Sequence, residues 1–317
     1  MTGRVTVVGG GLSGIACARR LHDAGVPVVV YERAHRLGGR LAVRTEQLSS
    51  GPHPVDLGAP YFTVRDKGFQ QVVDRWETAG LARPWTDSFM GQSGPGPLRW
   101  SAANGMRSLA EDLAEGLDVR LNHEVRQVSD DGTADGEPAD AVVLAMPDPQ
   151  AERLLNPALA QRLEVTGRDW SPVLSVWSVW PKRWWPEFDG AFVAGSPVLT
   201  WVSDDGRSRG DAAAVLVAHT SGDFARSMAD DAERAIASVL AELPRVLGGS
   251  PPAEPLVARM HRWALASAGQ PHDAPFALLG RIGVCGDDWG PKSRVEQAWI
   301  SGDQLASALL EVLTVGS

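Results

Sequence analysis

The first 32 residues constrain this chain more than any other stretch. Val5-Thr6-Val7-Val8 is a short apolar, β-branched run ending in a glycine cluster, which reads as a buried parallel strand. Leu12, Ile15, Ala16, Ala18 and Leu21 then recur at helical spacing, and Gly25 suits the helix stop. Val28-Val29-Val30-Tyr31 is a second strand, followed at once by Glu32. Between first strand and helix stand Gly9, Gly11 and Gly14, a G-x-G-x-x-G turn. Its first glycine makes the tight turn, the second lets a pyrophosphate approach the backbone, and the third lets helix and strand pack closely. The helix start, with Leu12 and Ser13, offers free N–H groups to phosphates, and Glu32 is placed to accept from ribose hydroxyls. A lone glycine pattern says little. Strand, helix, second strand and acid in one unit point to a bound dinucleotide without a 2′-phosphate.

Composition narrows the rest. The 317 residues carry 30 Lys+Arg against 39 Asp+Glu, a formal charge of −9, which argues against nucleic acid or anionic lipid as partner. The length suggests about two domains. Two cysteines, Cys17 and Cys285, cannot build a disulfide framework, a CxxC pair or a thiolate zinc site. No run approaches the roughly 20 apolar residues that span a bilayer, and Met1 to Arg4 lead straight into a strand, leaving no room for a signal peptide. A cytoplasmic location and no membrane partner are expected. No His/Asp/Glu spacing suggests a metal, and no G-x-S-x-G elbow is present. Twelve tryptophans against two tyrosines is the outlier.

Further along, residues 69–79 read as a helix, 91–97 as a Gly/Pro-rich crossing between domains, 106–115 as a helix, and 119–121 and 141–145 as strands. Residues 174–180, 198–202 and 213–218 read as strands, 228–243 as an amphipathic helix, and 282–285 as a strand before a closing helix. The expected class is α/β: a discontinuous Rossmann-type domain (1–75, 100–150 and 276–317) carrying an inserted mixed-sheet substrate domain (76–99 and 151–275).

Gly38-Gly39-Arg40 follows Glu32 by six residues, and a nicotinamide dehydrogenase does not need it; Arg40 is suited to neutralise phosphates. There is no second G-x-G-x-x-G, so a bound flavin would take electrons directly from a molecule against its ring. These segments resemble the FAD-binding pattern of the amine-oxidase (glutathione-reductase-like) flavoprotein superfamily. Asp56-Leu57-Gly58-Ala59-Pro60-Tyr61-Phe62-Thr63-Val64-Arg65-Asp66 is similar to the D-L-G-A-Q-Y-F-T-x-R-D segment of its renalase-like branch. Gly286-Asp287, Arg294-Val295-Glu296-Gln297-Ala298 and Ser301-Gly302 resemble the family's C-terminal flavin segment. The resemblance is specific at both ends of the chain and loose between about 150 and 275.

The resemblance implies FAD and an oxidase, and since no cysteine stands in a Ser-Gly-Gly-Cys type attachment the flavin is expected to be non-covalent. Such an enzyme takes a hydride from 2- or 6-dihydro isomers of NAD(P)H onto flavin N5 and gives H2O2 from O2. It implies cofactor contacts at Gly9, Gly11, Leu12, Ser13, Gly14, Glu32, Arg33, Gly39, Arg40, Leu41, Gly58, Ala59, Tyr61, Phe62, Val125, Gly286, Asp287, Arg294, Val295, Glu296 and Ala298. Asp287 would accept from a ribityl hydroxyl, and the last helix, capped by Ser293 or a neighbour, would turn its positive end to the flavin. His219, His261, Trp201, Trp263 and Trp299 are the candidate substrate-pocket residues, and the tryptophans between 170 and 201 the expected ceiling over the flavin. One departure stands out: an H-x-W-R-Y-A segment is common in the family, and this chain has His261-Arg262-Trp263-Ala264-Leu265-Ala266. Two other readings are an amine oxidase or other metabolite-tailoring flavin oxidase, against which the scarcity of lysines (Lys67, Lys182 and Lys292) counts, and a non-catalytic FAD-binding redox module.

Overall fold

A computed structural model describes residues 4–211 and 213–315. Eleven strands form two large sheets among the described residues. In chain order β1 (Val5–Val8), β2 (Val28–Tyr31), β3 (Asp118–Arg120) and β4 (Ala141–Ala145) begin the first. The second holds β5 (Trp170–Val179), β6 (Gly190–Phe192), β7 (Leu199–Asp204), β8 (Val215–Thr220) and β9 (Val257–Ala268). The chain then returns to the first sheet with β10 (Ala277–Leu279) and β11 (Ile282–Cys285).

The first sheet runs β10-β11-β4-β1-β2-β3, parallel at every pair except the β10 edge. Strands β1, β2, β4 and β11 are buried at every residue, as a sheet covered on both faces requires, so their sequences are unbroken apolar runs rather than alternating ones. The helix Leu12–Asp23 and the last helix, Val295–Val315, cover one face. Their axes approach closely at Gly302, where a Cβ would stand 2.0 Å from the carbonyl oxygen of Ser13. Leu155, Leu159 and Leu163 pack on the other face.

The second sheet runs β6-β7-β8-β5-β9 and is antiparallel at every pair, narrower than the mixed sheet expected there. The parallel-with-antiparallel mixture belongs to the first sheet. Trp177 and Trp180, three apart on β5 and its exit, fall on opposite faces. Trp177 packs with Val55, Leu57 and Val217; Trp180 packs with Trp185, Val202 and Leu243 under the helix Ala232–Leu247. That helix begins later than the expected 228, because Asp231 caps it by accepting from the Arg234 N–H, and Gly222–Ser227 is a separate helix capped by Ser221. The long edge strand β9 and the hairpin Val43–Leu48/Gly51–Asp56 are elements the periodicity did not indicate.

A buried ionic network joins this hairpin to the second sheet. Arg209, closing a short helix after β7, bonds Asp56 at 2.5 Å and Asp205 at 3.3 Å. Its remaining donors reach the carbonyls of Pro54 at 2.9 Å and Ala102 at 2.5 Å. His53 lies between Asp205, at 2.9 Å, and Asp211, at 2.8 Å. Removing the guanidinium strands two buried carboxylates, which costs far more than the pair contributes. Arg209→Leu should therefore lose about 3–5 kcal/mol of stability, read as a lower urea midpoint; an unchanged midpoint contradicts this account.

Candidate functional site

At the carboxyl ends of β1, β2, β4 and β11 the structure opens a cleft of about 1520 Å³, roofed by residues of β5, β8 and β9. This is where parallel α/β sheets place their ligands, and the volume exceeds the roughly 300–1,000 Å³ of drug-sized sites. Gly9, Gly11, Leu12, Ser13, Glu32, Arg33, Gly39, Arg40, Leu41, Gly58, Ala59 and Val125 line it. So do Gly286, Asp287, Arg294, Val295 and Ala298, and, from the second sheet, His219, His261 and Trp263.

The glycine turn is built by steric exclusion. A Cβ on Gly9, at φ +114°, would stand 2.3 Å from the carbonyl oxygen of Ala145, and one on Gly14 would stand 2.1 Å from that of Gly9. A Cβ on Gly11 meets nothing within 4 Å, so the helix N-terminus faces open cleft. Gly14 thus supports the turn from behind and does not line the cleft. Glu32 accepts from the N–H groups of Gly10 and Ala34, both at 2.7 Å, and braces the turn as well as facing the cleft.

Arg40 sits on a tight turn after Gly38, which is held by a 2.9 Å bond to the Gly10 carbonyl. A Cβ on Gly58 would lie 1.8 Å from the Arg40 carbonyl oxygen, so residues 56–60 press directly on that turn. The Arg40 guanidinium forms a forked pair with Asp287, reaches the Ala266 carbonyl at 3.3 Å, and lies 5.3 Å from the Trp170 ring. Asp287 also accepts from Ser293, whose hydroxyl is thereby held at Asp287. The donor set fits a dinucleotide: helix N–H groups and Arg40 for phosphates, Glu32 and Asp287 for sugar hydroxyls, and the start of the last helix at the far end.

The roof derives from strand register. Trp201, His219, Ser175 and His261 are successive partners across β7, β8, β5 and β9, so all four share one face. Within this row Ser175 is fully buried, and its hydroxyl and the His219 Nε2 have no partner. His261 sits mid-strand, edge-on to Trp263 at 4.3 Å. The Trp263 indole donates to the Leu57 carbonyl at 2.9 Å and His219 bonds the same backbone, so the roof is fastened to the floor beside Gly58. Burial depresses both imidazoles, His219 to about 4, leaving them neutral at pH 7.

Six expected residues lie outside the cleft lining. Trp201 packs against Phe89, Phe192 and Tyr61, with centroids 4.8 to 5.6 Å apart. Tyr61 joins this cluster and Arg99 covers Phe89 at 3.8 Å. Phe62 is buried against Phe69, Trp76 and Trp100. Trp299 leans on Phe69, and Glu296 turns away to accept from the N–H groups of Arg65, at 2.5 Å, and Asp66, at 2.8 Å. With Gly14 these are packing and bracing residues. Trp263 is the one tryptophan among the cleft-lining residues, which corrects the expected tryptophan ceiling.

Other lining residues escaped notice. His123 stacks on Tyr31 at 4.1 Å beside Glu32, just past the end of β3, and Arg107 approaches the turn at Leu37. His123 was legible from position: it follows the carboxyl end of a parallel strand.

Comparison with known proteins agrees with this arrangement. Residues 77–310 match the family described as flavin containing amine oxidoreductase, and residues 7–76 match an NAD(P)-binding Rossmann-like domain. Amine oxidase [flavin-containing] B of Sus scrofa is 50% identical over 58 residues, which is 18% of this chain and only 10% of that relative. Phytoene desaturase of Rhodobacter capsulatus is 42% identical over 65 residues, 20% of this chain and 12% of that one. Among solved structures, a double mutant of putrescine oxidase superposes with TM-score 0.75 at 19% identity, over 98% of this chain and 99% of that one. Cyclohexylamine oxidase from Brevibacterium oxydans IH-35A gives TM-score 0.75 at 16% identity, over 99% and 100%. At such identity these structures establish the fold.

Two measurements test the site. Gly14→Ala should destabilise by about 3 kcal/mol through overpacking, whereas Gly11→Ala should melt near wild type but bind the dinucleotide about tenfold more weakly, roughly 1.4 kcal/mol, by fluorescence titration. The unfolded chain protonates His219 below its ordinary 6.5 while the native state resists until about 4. Stability is therefore drained as pH falls between those values. His219→Gln should show a shallower loss of denaturation midpoint from pH 7 to 4.5 than wild type; parallel curves contradict it.

Proposed function

The chain belongs to the flavin containing amine oxidoreductase family and is an FAD-dependent oxidoreductase; on that premise we propose that it is an oxidase of small electron-rich rings, with 2- or 6-dihydro isomers of NAD(P)H as donors. When bound, FAD supplies the two-electron acceptor that takes a hydride from the donor and returns the electrons to O2, releasing H2O2. The observation that carries the reading is the chemistry of the roof. Facing the floor at Leu57 and Gly58 it offers two neutral imidazoles and an indole, with Arg262 the one charged lining residue of the roof strands and no lysine among the cleft-lining residues. A donor that becomes aromatic on losing hydride needs positioning more than a base. His219, Trp263 and His261 are suited to confine the ring.

In this reading Gly9–Ser13, Arg33, Arg40 and Leu41 hold the dinucleotide's phosphates and Glu32 its ribose. Asp287, freed in part from Arg40, takes a ribityl hydroxyl, and Arg294, Val295 and Ala298 bring the last helix to the ring system. Residues 1–75, 100–150 and 276–317 are the FAD-binding part; 76–99 and 151–275 form the substrate part. No described helix is long and apolar enough to cross a membrane, and two buried free cysteines suit the reducing cytoplasm.

Amine oxidation is the second reading, favoured by the family's description and by the putrescine and cyclohexylamine oxidases that share the fold. Anaerobic mixing of the purified holoenzyme decides between them. The flavin band should bleach with 2- or 6-dihydro-NAD(P) and not with diamines or cycloalkylamines, and the reverse outcome transfers the proposal to amines. His219→Ala should raise the donor KM about tenfold with the limiting reduction rate changed less than about threefold, the signature of binding without proton transfer.

A further inference from the structure

Behind the cleft, Asp148, His272 and Asp288 converge from three separate segments. Asp148 opens the helix after β4, Asp288 follows β11, and His272 comes from the loop between β9 and β10. One donor atom of each lies within 4.8 Å of the other two, and all three residues are buried, Asp148 at 1%, His272 at 4% and Asp288 at 0% exposure. Neither carboxylate is satisfied. Both oxygens of Asp288 and Oδ1 of Asp148 lack any hydrogen-bond partner, although full burial of a carboxylate demands hydrogen bonds or a counter-charge. One cation reaches the group's edge: Arg168 Nε pairs with Asp148 Oδ2 at 3.6 Å and donates to His272 Nε2 at 3.4 Å, its side chain a quarter exposed, and it forms no ion pair with Asp288. Arg40 is taken up by Asp287.

We propose that Asp148, His272 and Asp288 bind one divalent transition-metal ion of the zinc type. Two carboxylates and an imidazole make a donor set such ions accept, and the imidazole argues against magnesium or calcium. The surrounding structure already fixes the ligands as an outer shell does. The His272 ring is stacked on Trp289 at 3.5 Å and 4°. The His272 backbone N–H donates to the Asp288 carbonyl at 2.7 Å, and its own carbonyl accepts from Gly290 at 3.0 Å. His272 Nε2 lies 3.0 Å from Asp148 Oδ2. Binding through Nε2 places the ion between the two, and any proton on that nitrogen leaves to solvent. Because Asp288 adjoins Asp287, which lines the cleft, the ion would cinch the turn that presents Asp287 to the dinucleotide.

Tag-free holoenzyme is stripped with EDTA and titrated with Zn2+, and separately with Co2+, reading bound metal by elemental analysis and the cobalt ligand-field bands beyond the flavin absorption. We expect one ion per chain, a melting midpoint raised by roughly 5 °C at saturation, and affinity reduced about 10–100-fold or more in Asp288→Asn and in His272→Gln. Far-UV circular dichroism and retained flavin colour show that each variant is folded; should both fail, the wild-type stoichiometry alone decides. Stripped wild type that takes up no stoichiometric Zn2+ or Co2+ overturns the site and leaves the carboxylates sharing a proton. Uptake unchanged in the folded variants overturns it equally. No electron donor enters these measurements, so their failure is separate from failure of the proposed reaction.

Discussion

The architecture depends on backbone approaching backbone where side chains would forbid it. The Ala145 carbonyl, at the end of β4, presses on Gly9; the Gly9 carbonyl presses on Gly14; and the Ser13 carbonyl presses on Gly302 in the last helix. Three consecutive contacts thus stack sheet, turn, first helix and last helix without an intervening side chain. A phosphate-facing helix terminus is useful only if the turn before it is rigid, and this stack supplies the rigidity. It also explains how residues almost 300 positions apart in sequence come to flank one cleft: Gly302 lets the last helix lie so close that its start reaches the same opening as Gly11.

The second sheet is fastened to that frame at points of different character. Arg209 ties Asp56 and the hairpin by buried charge, while Trp263 and His219 bond the backbone of Leu57 one residue later. Residues 56–58 are therefore clamped from one side by ions and from the other by neutral rings. Gly58, wedged against the Arg40 carbonyl, passes that constraint to the phosphate end of the cleft. A charged group in the place of His219 or Trp263 would have to bond the same backbone from a buried position, at a steep desolvation cost. Neutral rings meet both demands.

What could be read in the sequence follows from how local its cause is. The glycine turn, β1, β2, β4 and β11 were legible because steric exclusion and two-sided burial write themselves into consecutive residues. Strand β9 was not, since a half-exposed edge strand mixes Arg259, Arg262 and Ser267 with Trp263 and carries no clean period. The candidate site divided the same way. Residues fixed by the turn and by the 56–60 and 286–298 segments reach the cleft, whereas Trp201 and Trp299 depended on pairing register and helix rotation, which no single segment encodes. His219 and His261 were placed on the roof, but the register that sets Ser175 between them became visible only with β5 paired on both sides.

The substituted segment after Trp263 gains meaning from that register. Ala264, Leu265 and Ala266 line the cleft where the resembling family carries an arginine and an aromatic ring. Arg40 reaches across to the Ala266 carbonyl, and Arg262 is the cleft-lining cation that β9 itself supplies. Ala264, Leu265 and Ala266 present no charge to that stretch of the cleft, while the Trp263 indole fastens the roof at Leu57. Under the proposed function, selectivity would be concentrated where roof and floor are bonded, at His219, His261 and Trp263. The part of a substrate that reaches past Ala264 is held chiefly by shape, so variation along this short stretch of β9 can alter what extends from the cleft without disturbing the clamp.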